Sequence, residues 1–249
     1  MRSLIVIPAR LASTRLSRKM LLSETGKPLI QHTYEAALQA SRAEGVCVAT
    51  DAEEIVATIG QFGGTAQMTS EACASGTDRV AEVARSRPEI DLFVNVQGDE
   101  PELAGASIDK VIDLLEQHPE APMATLATPI RDRVALDDPA CVKVVCDTSG
   151  RAIYFSRAAI PHARQWNPEL LAAEPPVYWQ HLGIYAYRRD FLLQMAELRP
   201  TPLESLESLE QLRVLEHGHT ILVGRVDQAT RGIDTEDDYR GFVARQRNG

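Results

Sequence analysis

The chain has 249 residues, an apolar fraction of 44% and a formal net charge of −9. This length suits one α/β domain or two small ones, and the acidic balance argues against a broad nucleic-acid surface. The short N-terminal apolar run leads into Arg10, which predicts neither a signal peptide nor a membrane span. The four cysteines show no CxxC and no partnering histidine spacing, so we expect free thiols and a reducing, cytoplasmic location.

Strand-like and helical patterns alternate along the chain, which predicts βαβ units and a largely parallel sheet, at least in the first half. Apolar runs predict strands at Ser3–Pro8, Gly45–Thr50, Asp91–Gln97, Pro122–Pro129, Val142–Asp147, Leu182–Tyr187 and Thr220–Val226. Helical periodicity follows Pro28 and recurs over about Ala52–Phe62, Thr77–Arg87 and Ala104–Gln117.

The second half is less regular. Residues 160–178 are rich in Pro and Ala and lack periodicity, so residues of about 150–205 are expected to form an irregular excursion for substrate binding or dimerisation. No linker divides the chain, which favours a single domain over residues 1–249. The capping box that begins at Thr201 predicts one helix running to His217 and ended by Gly218.

Three cations follow the first predicted strand, namely Arg10, Arg15 and Lys19. Ligands of open α/β sheets bind just beyond the carboxyl ends of the strands, where guanidinium and ammonium groups suit phosphate oxygens. The pattern therefore indicates a phosphate site, and the competing interpretation is a solvated basic loop.

Two acidic positions are candidates for holding a divalent cation beside a phosphate. Asp99 follows the strand Asp91–Gln97 and a glycine, and Mg²⁺ is usually bound by one or two carboxylates with substrate oxygens and water. The alternative for Asp99 is an ordinary Asp-Glu turn. Asp234 is either a second metal ligand or the N-cap of a helix over Thr235–Arg245.

Further polar positions carry weaker signals. Ser75, Gly76 and Thr77 precede a helix, where small hydroxylated residues bind an anion or simply cap the helix. His181 and Arg157 each adjoin a predicted strand and can reach a shared cleft, although a lone histidine is more often structural. The chain has no Ser/His/Asp arrangement, zinc spacing, Walker A loop or G-x-G-x-x-G, so hydrolase, ATPase and dinucleotide-binding functions have no support.

Taken together, these segments resemble the 3-deoxy-manno-octulosonate cytidylyltransferases, also called CMP-Kdo synthetases. The most specific stretch is Val94-Asn95-Val96-Gln97-Gly98-Asp99-Glu100-Pro101. Shorter matches occur in the family's order over nearly the whole length, at Ile7-Pro8-Ala9-Arg10, Ala12-Ser13-Thr14-Arg15-Leu16, Gly26-Lys27-Pro28, Val48-Ala49-Thr50-Asp51, Ser75-Gly76-Thr77-Asp78-Arg79, Val142-Lys143-Val144-Val145, Tyr154-Phe155-Ser156-Arg157, His181-Leu182-Gly183-Ile184-Tyr185, Leu209-Glu210-Gln211-Leu212-Arg213 and Ile233-Asp234-Thr235.

The resemblance implies a three-layer α/β nucleotidyltransferase fold with a mainly parallel mixed sheet, and a homodimer. It implies an enzyme that converts CTP and 3-deoxy-D-manno-octulosonate (Kdo) into CMP-Kdo and pyrophosphate with Mg²⁺, for lipopolysaccharide biosynthesis. Catalysis is then expected of Arg10, Lys19 and Asp99; nucleotide binding of Arg10, Ser13, Arg15, Lys19, Ser75, Gly76, Thr77, Arg79 and Gln97; sugar-acid binding of Gln97, Arg157, His181, Tyr185, Glu210 and Gln211; and Mg²⁺ binding of Asp99 and Asp234.

The chain departs from the family pattern in two places. The first loop reads Leu16-Ser17-Arg18-Lys19-Met20 in place of the family's Leu-Pro-Gly-Lys-Pro, so its backbone path is expected to differ, and Arg18 either touches phosphate or faces solvent. Arg231 stands where the family has a small residue and is a candidate for contact with pyrophosphate or sugar. A related sugar acid, such as 8-amino-Kdo or a nonulosonic acid, remains an alternative acceptor, and a catalytically silent nucleotide-binding protein remains an alternative function.

Overall fold

Strand–helix alternation produces one mixed sheet in the computed structural model, which describes residues 1–12, 16–229 and 232–248. The strands are β1 (Ser3–Ala9), β2 (Val46–Thr50), β3 (Ala66–Met68), β4 (Leu92–Asn95), β5 (Met123–Pro129), β6 (Lys143–Cys146), β7 (Ala152–Ser156), β8 (Trp179–Arg188) and β9 (Ile221–Arg225). The helices are α1 (Leu29–Ala37), α2 (Glu53–Gln61), α3 (Gly76–Arg85), α4 (Gly105–Gln117), α5 (Arg133–Asp137), α6 (Arg189–Met195), α7 (Pro202–Glu207), α8 (Gln211–Glu216) and α9 (Glu236–Asn248).

The main path of the sheet has the order β3-β2-β1-β4-β8-β5-β9, with β6 and β7 paired beside it. Strands β1 to β4 are mutually parallel, and β5 is parallel to β9. Only β8, among the strands on this path, runs antiparallel to its neighbours β4 and β5. The expected mainly parallel mixed sheet is therefore confirmed.

Apolar residues on both faces of the sheet form the core, as buried parallel strands require. Side chains of α1, α2 and α4, including Ile30, Ile55 and Ile108, pack with one face of the central strands. Side chains of α3, α6 and α8, including Val80 and Leu212, pack with the other face. The helix–sheet–helix arrangement is the expected three-layer fold.

The C-terminal helix α9 packs against the start of α1 and the loop after β1. Tyr239 and Phe242 of α9 form a separate apolar cluster with Leu29 and Leu16, and Ile233 joins it from the preceding segment. The Tyr239 hydroxyl also accepts a hydrogen bond from the Glu24 backbone N–H at 3.0 Å. This packing fixes the segment that carries Asp234 against the loop after β1.

Two expectations about the second half need correction. The irregular excursion is narrower than 150–205, because β7, β8 and α6 lie inside that range and β8 occupies the middle of the sheet. The single helix expected from Thr201 to His217 is wrong, because Ser208 has φ 52° and separates α7 from α8. The Glu207 carboxylate, just before the break, accepts hydrogen bonds from Ser156 Oγ at 2.6 Å and Arg157 N at 2.9 Å. These tertiary bonds favour the turn, whereas the expected end at Gly218, with φ 80°, is confirmed.

Candidate active site

Lys19 brings two carboxylates and a carbonyl together just beyond the carboxyl end of the sheet. Its Nζ donates to Asp99 Oδ2 at 2.6 Å, to the Ile233 carbonyl at 2.7 Å and to Asp234 Oδ1 at 3.4 Å. Only 8% of Lys19 is exposed. We call Lys19, Asp99, Ile233 and Asp234 the Lys19 cluster. It combines the loop after β1, the loop after β4 and the segment before α9, which come from distant parts of the sequence.

The loop after β4 lies tightly against the end of β1. A side chain at Gly98 would place its Cβ 3.2 Å from the Pro8 carbonyl oxygen and 2.9 Å from Met20 Sδ. The Gly98 carbonyl accepts from Thr33 Oγ1 at 2.8 Å, and the Asp99 carbonyl accepts from Ile233 N at 2.9 Å. These contacts explain why glycine precedes Asp99, and they hold the Asp99 carboxylate in the cluster.

The two carboxylates suit a Mg²⁺ ion by their chemistry. Asp99 and Asp234 approach one point from different segments, and carboxylate oxygens are hard ligands that this ion prefers. The described residues contain no group of three or more His, Cys, Asp or Glu side chains that could hold a metal ion. An ion held by this pair would therefore take its remaining ligands from substrate oxygens and water, as Mg²⁺ commonly does beside phosphates.

Asp234 does not cap α9, because Thr235 and Asp238 form the cap instead. Thr235 Oγ1 accepts a hydrogen bond from Asp238 N at 3.2 Å, and the Asp238 carboxylate accepts from Thr235 N at 2.8 Å. This reciprocal pair is a capping box. The Asp234 carboxylate is consequently directed at Lys19 instead of at the helix end.

A cavity of about 360 Å³ adjoins the end of β4, and we call it the central cavity. It lies on the sheet face covered by α3 and α8. Its lining includes seven of the residues expected at the substrates, namely Gly76, Thr77, Gln97, His181, Tyr185, Glu210 and Gln211. The break at Ser208 makes this possible, because it directs the first residues of α8 toward the sheet.

The central cavity is polar but mostly uncharged. Burial lowers the pKa of His181 to about 3, so its imidazole is neutral at pH 7. Burial, together with the charges of Glu210 and Glu100, raises the pKa of Tyr185, so its hydroxyl stays protonated. Glu210 contributes a carboxylate, which accepts from Thr77 Oγ1 at 2.7 Å. The cavity thus offers hydrogen-bond donors and acceptors fit for a polyhydroxylated ligand.

Three expected binding residues make contacts within the protein. The Arg157 guanidinium donates to the carbonyls of Glu207 at 2.7 Å, Pro139 at 3.0 Å and Ser208 at 3.3 Å, behind the cavity wall. Arg79 is 1% exposed, forms an ion pair with Asp51 and donates to Thr69 Oγ1 at 2.7 Å. Ser75 Oγ accepts from Asp78 N at 3.2 Å as the N-cap of α3. Their expected contacts with substrate remain predictions.

The remaining expected residues lie near the first loop. Arg10 is exposed, donates to the Cys73 carbonyl at 2.8 Å and lines a second cavity of about 810 Å³. Arg18 forms an ion pair with Glu54, with both side chains about half exposed, and lines the same cavity as Arg10. Its contact with phosphate remains a prediction. Ser13, Arg15 and Arg231 lie outside the described residues.

Sequence reasoning missed Asn95, which lines the central cavity at the end of β4. Asn95 is 1% exposed, and its Oδ1 has no hydrogen-bond partner within the described part of the chain. Gln211 Nε2 is unpartnered among the same residues. Buried polar atoms are normally paired, so these two are available to a ligand in the cavity. The signal in the sequence was a polar residue inside the apolar run Leu92–Val96.

Comparisons with known proteins agree with this architecture. Residues 4–221 match the cytidylyltransferase family. A 3-deoxy-manno-octulosonate cytidylyltransferase of Rhodopirellula baltica is 55% identical over 246 residues, which cover 98% of each chain. A solved structure of CMP:2-keto-3-deoxy-manno-octonic acid synthetase complexed with CTP has a TM-score of 0.92 and 40% identity, over 100% of this chain and 99% of that one.

A more distant structure shows the fold alone. The 4-diphosphocytidyl-2C-methyl-D-erythritol synthase of Anaerococcus prevotii has a TM-score of 0.63 at 12% identity, over 99% of both chains. The full-length identity to the Rhodopirellula protein is decisive for the family, and it agrees with the convergence of the motif residues at the Lys19 cluster and the central cavity. The chain belongs to the 3-deoxy-manno-octulosonate cytidylyltransferases.

Proposed function

We propose that this protein is a cytidylyltransferase that activates Kdo with CTP and releases pyrophosphate. The observation that carries the proposal is the adjacency of the Lys19 cluster and the central cavity, which both follow β4. The Lys19 cluster supplies charge for a nucleoside triphosphate, and the central cavity supplies a polar, mostly uncharged site for a sugar acid. The full-length relatives named for this reaction support it.

The reaction joins one oxygen to one phosphorus. The anomeric hydroxyl of Kdo attacks the α-phosphorus of CTP, its proton is lost, and the bond from the α-phosphorus to the bridging oxygen of pyrophosphate breaks. Such transfers depend mainly on positioning and on neutralising phosphate charge. No covalent bond to the protein is needed.

The residues divide this work between the two regions. Lys19 supplies a positive charge beside the triphosphate, and Arg10 at the end of β1 supplies a second. Asp99 and Asp234 would hold Mg²⁺, which neutralises phosphate charge and lowers the pKa of a bound hydroxyl. Glu210, Gln211, His181 and Tyr185 bind the sugar acid in the central cavity and exclude water from it.

An acceptor panel tests the proposal. Purified protein with CTP and Mg²⁺ is supplied in turn with Kdo, 8-amino-Kdo and a nonulosonic acid, and pyrophosphate release is measured. We expect release with Kdo, dependent on both Kdo and Mg²⁺. Preference for another sugar acid would transfer the same chemistry to that acceptor. Calorimetric binding of CTP with no turnover on any acceptor would instead indicate a silent nucleotide-binding protein.

We also propose a homodimer and a cytoplasmic location, which the family resemblance and the cysteine usage support. Val134 is 81% exposed, and Arg133 beside it stacks on the exposed Trp166 with 4.2 Å from guanidinium carbon to ring centroid. Such an exposed apolar surface suits contact with a second copy. Light scattering should give twice the chain mass, and Val134→Glu should reduce the measured mass.

Cell fractionation tests the proposed cytoplasmic location. No helix in the described ranges is both long and apolar enough to cross a membrane.

A further inference from the structure

Thr125 is a fully buried hydroxyl residue beneath the central cavity, and neither the sequence motifs nor the proposed mechanism uses it. It lies on β5 directly opposite Tyr185 of β8, which in turn lies opposite Asn95 of β4. The three residues form one polar row across neighbouring strands of the sheet. The pairing of β5 with β8 shifts register immediately after Thr125, and this irregularity brings several oxygens to its side chain.

The hydrogen bonds of Thr125 settle where the protons lie. Its Oγ1 is 2.7 Å from the Ile184 carbonyl, 3.1 Å from the Leu182 carbonyl and 3.0 Å from His181 Nε2. A hydroxyl has one proton to donate, and carbonyl oxygens only accept. If that proton went to His181, the oxygen of Thr125 would face the Ile184 oxygen at 2.7 Å with no proton between them.

The proton of Thr125 therefore goes to a carbonyl, and His181 Nε2 must be the donor to Thr125. A neutral imidazole that carries its proton on Nε2 has a lone pair on Nδ1. Nδ1 has no hydrogen-bond partner in the parts of the chain that the structure describes, and His181 lines the central cavity.

Aromatic packing restricts the imidazole ring further. The Phe155 ring meets it edge-on with centroids 5.0 Å apart, and the Tyr185 ring lies 5.4 Å away on a tilted plane. Packing thus holds the imidazole ring of His181, and the Thr125 hydroxyl determines which ring nitrogen carries the proton.

We propose that Thr125 is a positioning residue that fixes the Nε2–H tautomer of His181, so that Nδ1 accepts a hydrogen bond from a hydroxyl group of the sugar acid. The acceptor half of this inference rests on the proposed function, whereas the tautomer does not. The site then requires a hydrogen-bond donor at that point of the ligand, because a hydroxyl or a protonated amine satisfies Nδ1 but a carbonyl or ether oxygen does not.

Nitrogen-15 NMR of the wild-type protein without substrate tests the tautomer. The two neutral tautomers have different ¹⁵N shifts at the ring nitrogens, and the His181 signals are assigned by their loss in His181→Gln. We expect a protonated Nε2 and an unprotonated Nδ1 at pH 7. A protonated Nδ1, or a mixture of the two forms, would overturn the proposal. This measurement needs no variant of Thr125 to fold.

Steady-state kinetics test the positioning role. Thr125→Val keeps the shape but removes the hydroxyl, and it should lower kcat/KM for Kdo about tenfold, as the loss of one hydrogen bond predicts. Thr125→Ser restores the hydroxyl and should restore kcat/KM. The KM for CTP should stay unchanged in both variants.

A double-mutant cycle separates positioning from general damage to the sheet. In a His181→Ala background, Thr125→Val should have little further effect on kcat/KM for Kdo. An equal loss in both backgrounds would show that Thr125 acts without His181, and the proposal would be wrong. If wild-type protein released no pyrophosphate from CTP and Kdo, the proposed function would fail while the NMR result on His181 would still stand.

Discussion

The Lys19 cluster and the central cavity adjoin the same strand end but handle charge in opposite ways. The Lys19 cluster places two carboxylates within 3.4 Å of one ammonium. The central cavity keeps His181 neutral and Tyr185 protonated by burial, and Glu210 is the carboxylate bound there by Thr77. The difference agrees with the proposed division of work, in which concentrated charge would bind phosphate and metal while mostly uncharged hydrogen-bonding groups would select the acceptor.

Replacing Asp99, the carboxylate that we propose holds Mg²⁺, should have the largest effect. Asp99→Asn keeps the shape of the side chain but removes its charge, and it should lower kcat at least about 100-fold, as loss of a key electrostatic group does. Pyrophosphate release with CTP and Kdo is the measurement. The matched control is Asp237→Asn on α9, where the side chain is 95% exposed, and kcat should be unchanged there. Near-normal turnover of Asp99→Asn would remove the metal assignment.

Removing the ammonium should have a smaller effect on turnover and a distinctive effect on stability. Lys19→Met should raise the KM for CTP about tenfold, because a charge-assisted contact with phosphate is lost. It also leaves two carboxylates without their shared cation, so Mg²⁺ should raise the melting temperature more in the variant than in wild type. The exposed Lys110→Met is the control. Equal effects of Mg²⁺ on wild type and Lys19→Met would contradict a shared carboxylate site.

Acid should lower the free energy of unfolding of the protein through His181, which lines the central cavity. The pKa of His181 is about 6.5 in the unfolded chain and about 3 in the native protein, because burial disfavours the cation. Below pH 6.5 the unfolded state binds the proton and the native state does not, so stability falls as pH falls. Each pH unit between about 6 and 4 should cost about 1.4 kcal/mol of unfolding free energy.

The pH dependence that His181 contributes to the unfolding free energy should be absent from His181→Gln. Urea unfolding of both proteins across that pH range measures the difference. Tyr185 remains protonated throughout the range, and Glu210 is common to both proteins, so their difference isolates His181. Parallel stability curves for wild type and His181→Gln would show that the imidazole does not stay neutral in the native state.

The smallest effect is expected at Arg18, which adjoins Lys19 in the sequence. Arg18 pairs with Glu54 at an exposed position, and such pairs contribute little. Arg18→Ala should therefore change the KM for CTP by less than about twofold, in line with the weakness of exposed ion pairs. A tenfold increase in KM would place Arg18 among the phosphate-binding residues and would extend the Lys19 cluster along the loop.

The contrast also shows which parts of the site a sequence can reveal. The strand–loop positions of Arg10, Lys19 and Asp99 followed from apolar runs that end in polar residues, because parallel strands end at one edge. The role of Asp234 was undecided, since its choice between cap and cluster depends on Thr235 and Asp238 forming the capping box. That contact requires the helix to be in place.

The central cavity was harder to foresee. Glu210 and Gln211 reach it because Ser208 adopts a left-handed conformation, and the Glu207 carboxylate that favours the turn is bound by residues about fifty positions earlier. Asn95 reads as one polar residue in a buried strand, and Thr125 as one of two threonines in an apolar run. Their importance depends on strand register, which local patterning does not specify.

The hydrogen bond from Ile233 N to the Asp99 carbonyl has a consequence for the timing of activity. Asp99 acquires its companion carboxylate only when the segment before α9 has docked, and that segment is held by Ile233, Tyr239 and Phe242. On the ribosome, the residues that line the central cavity, which extend to Gln211, are synthesised before this segment. The nascent chain therefore cannot assemble the Lys19 cluster until the segment through Phe242 has been synthesised and has docked.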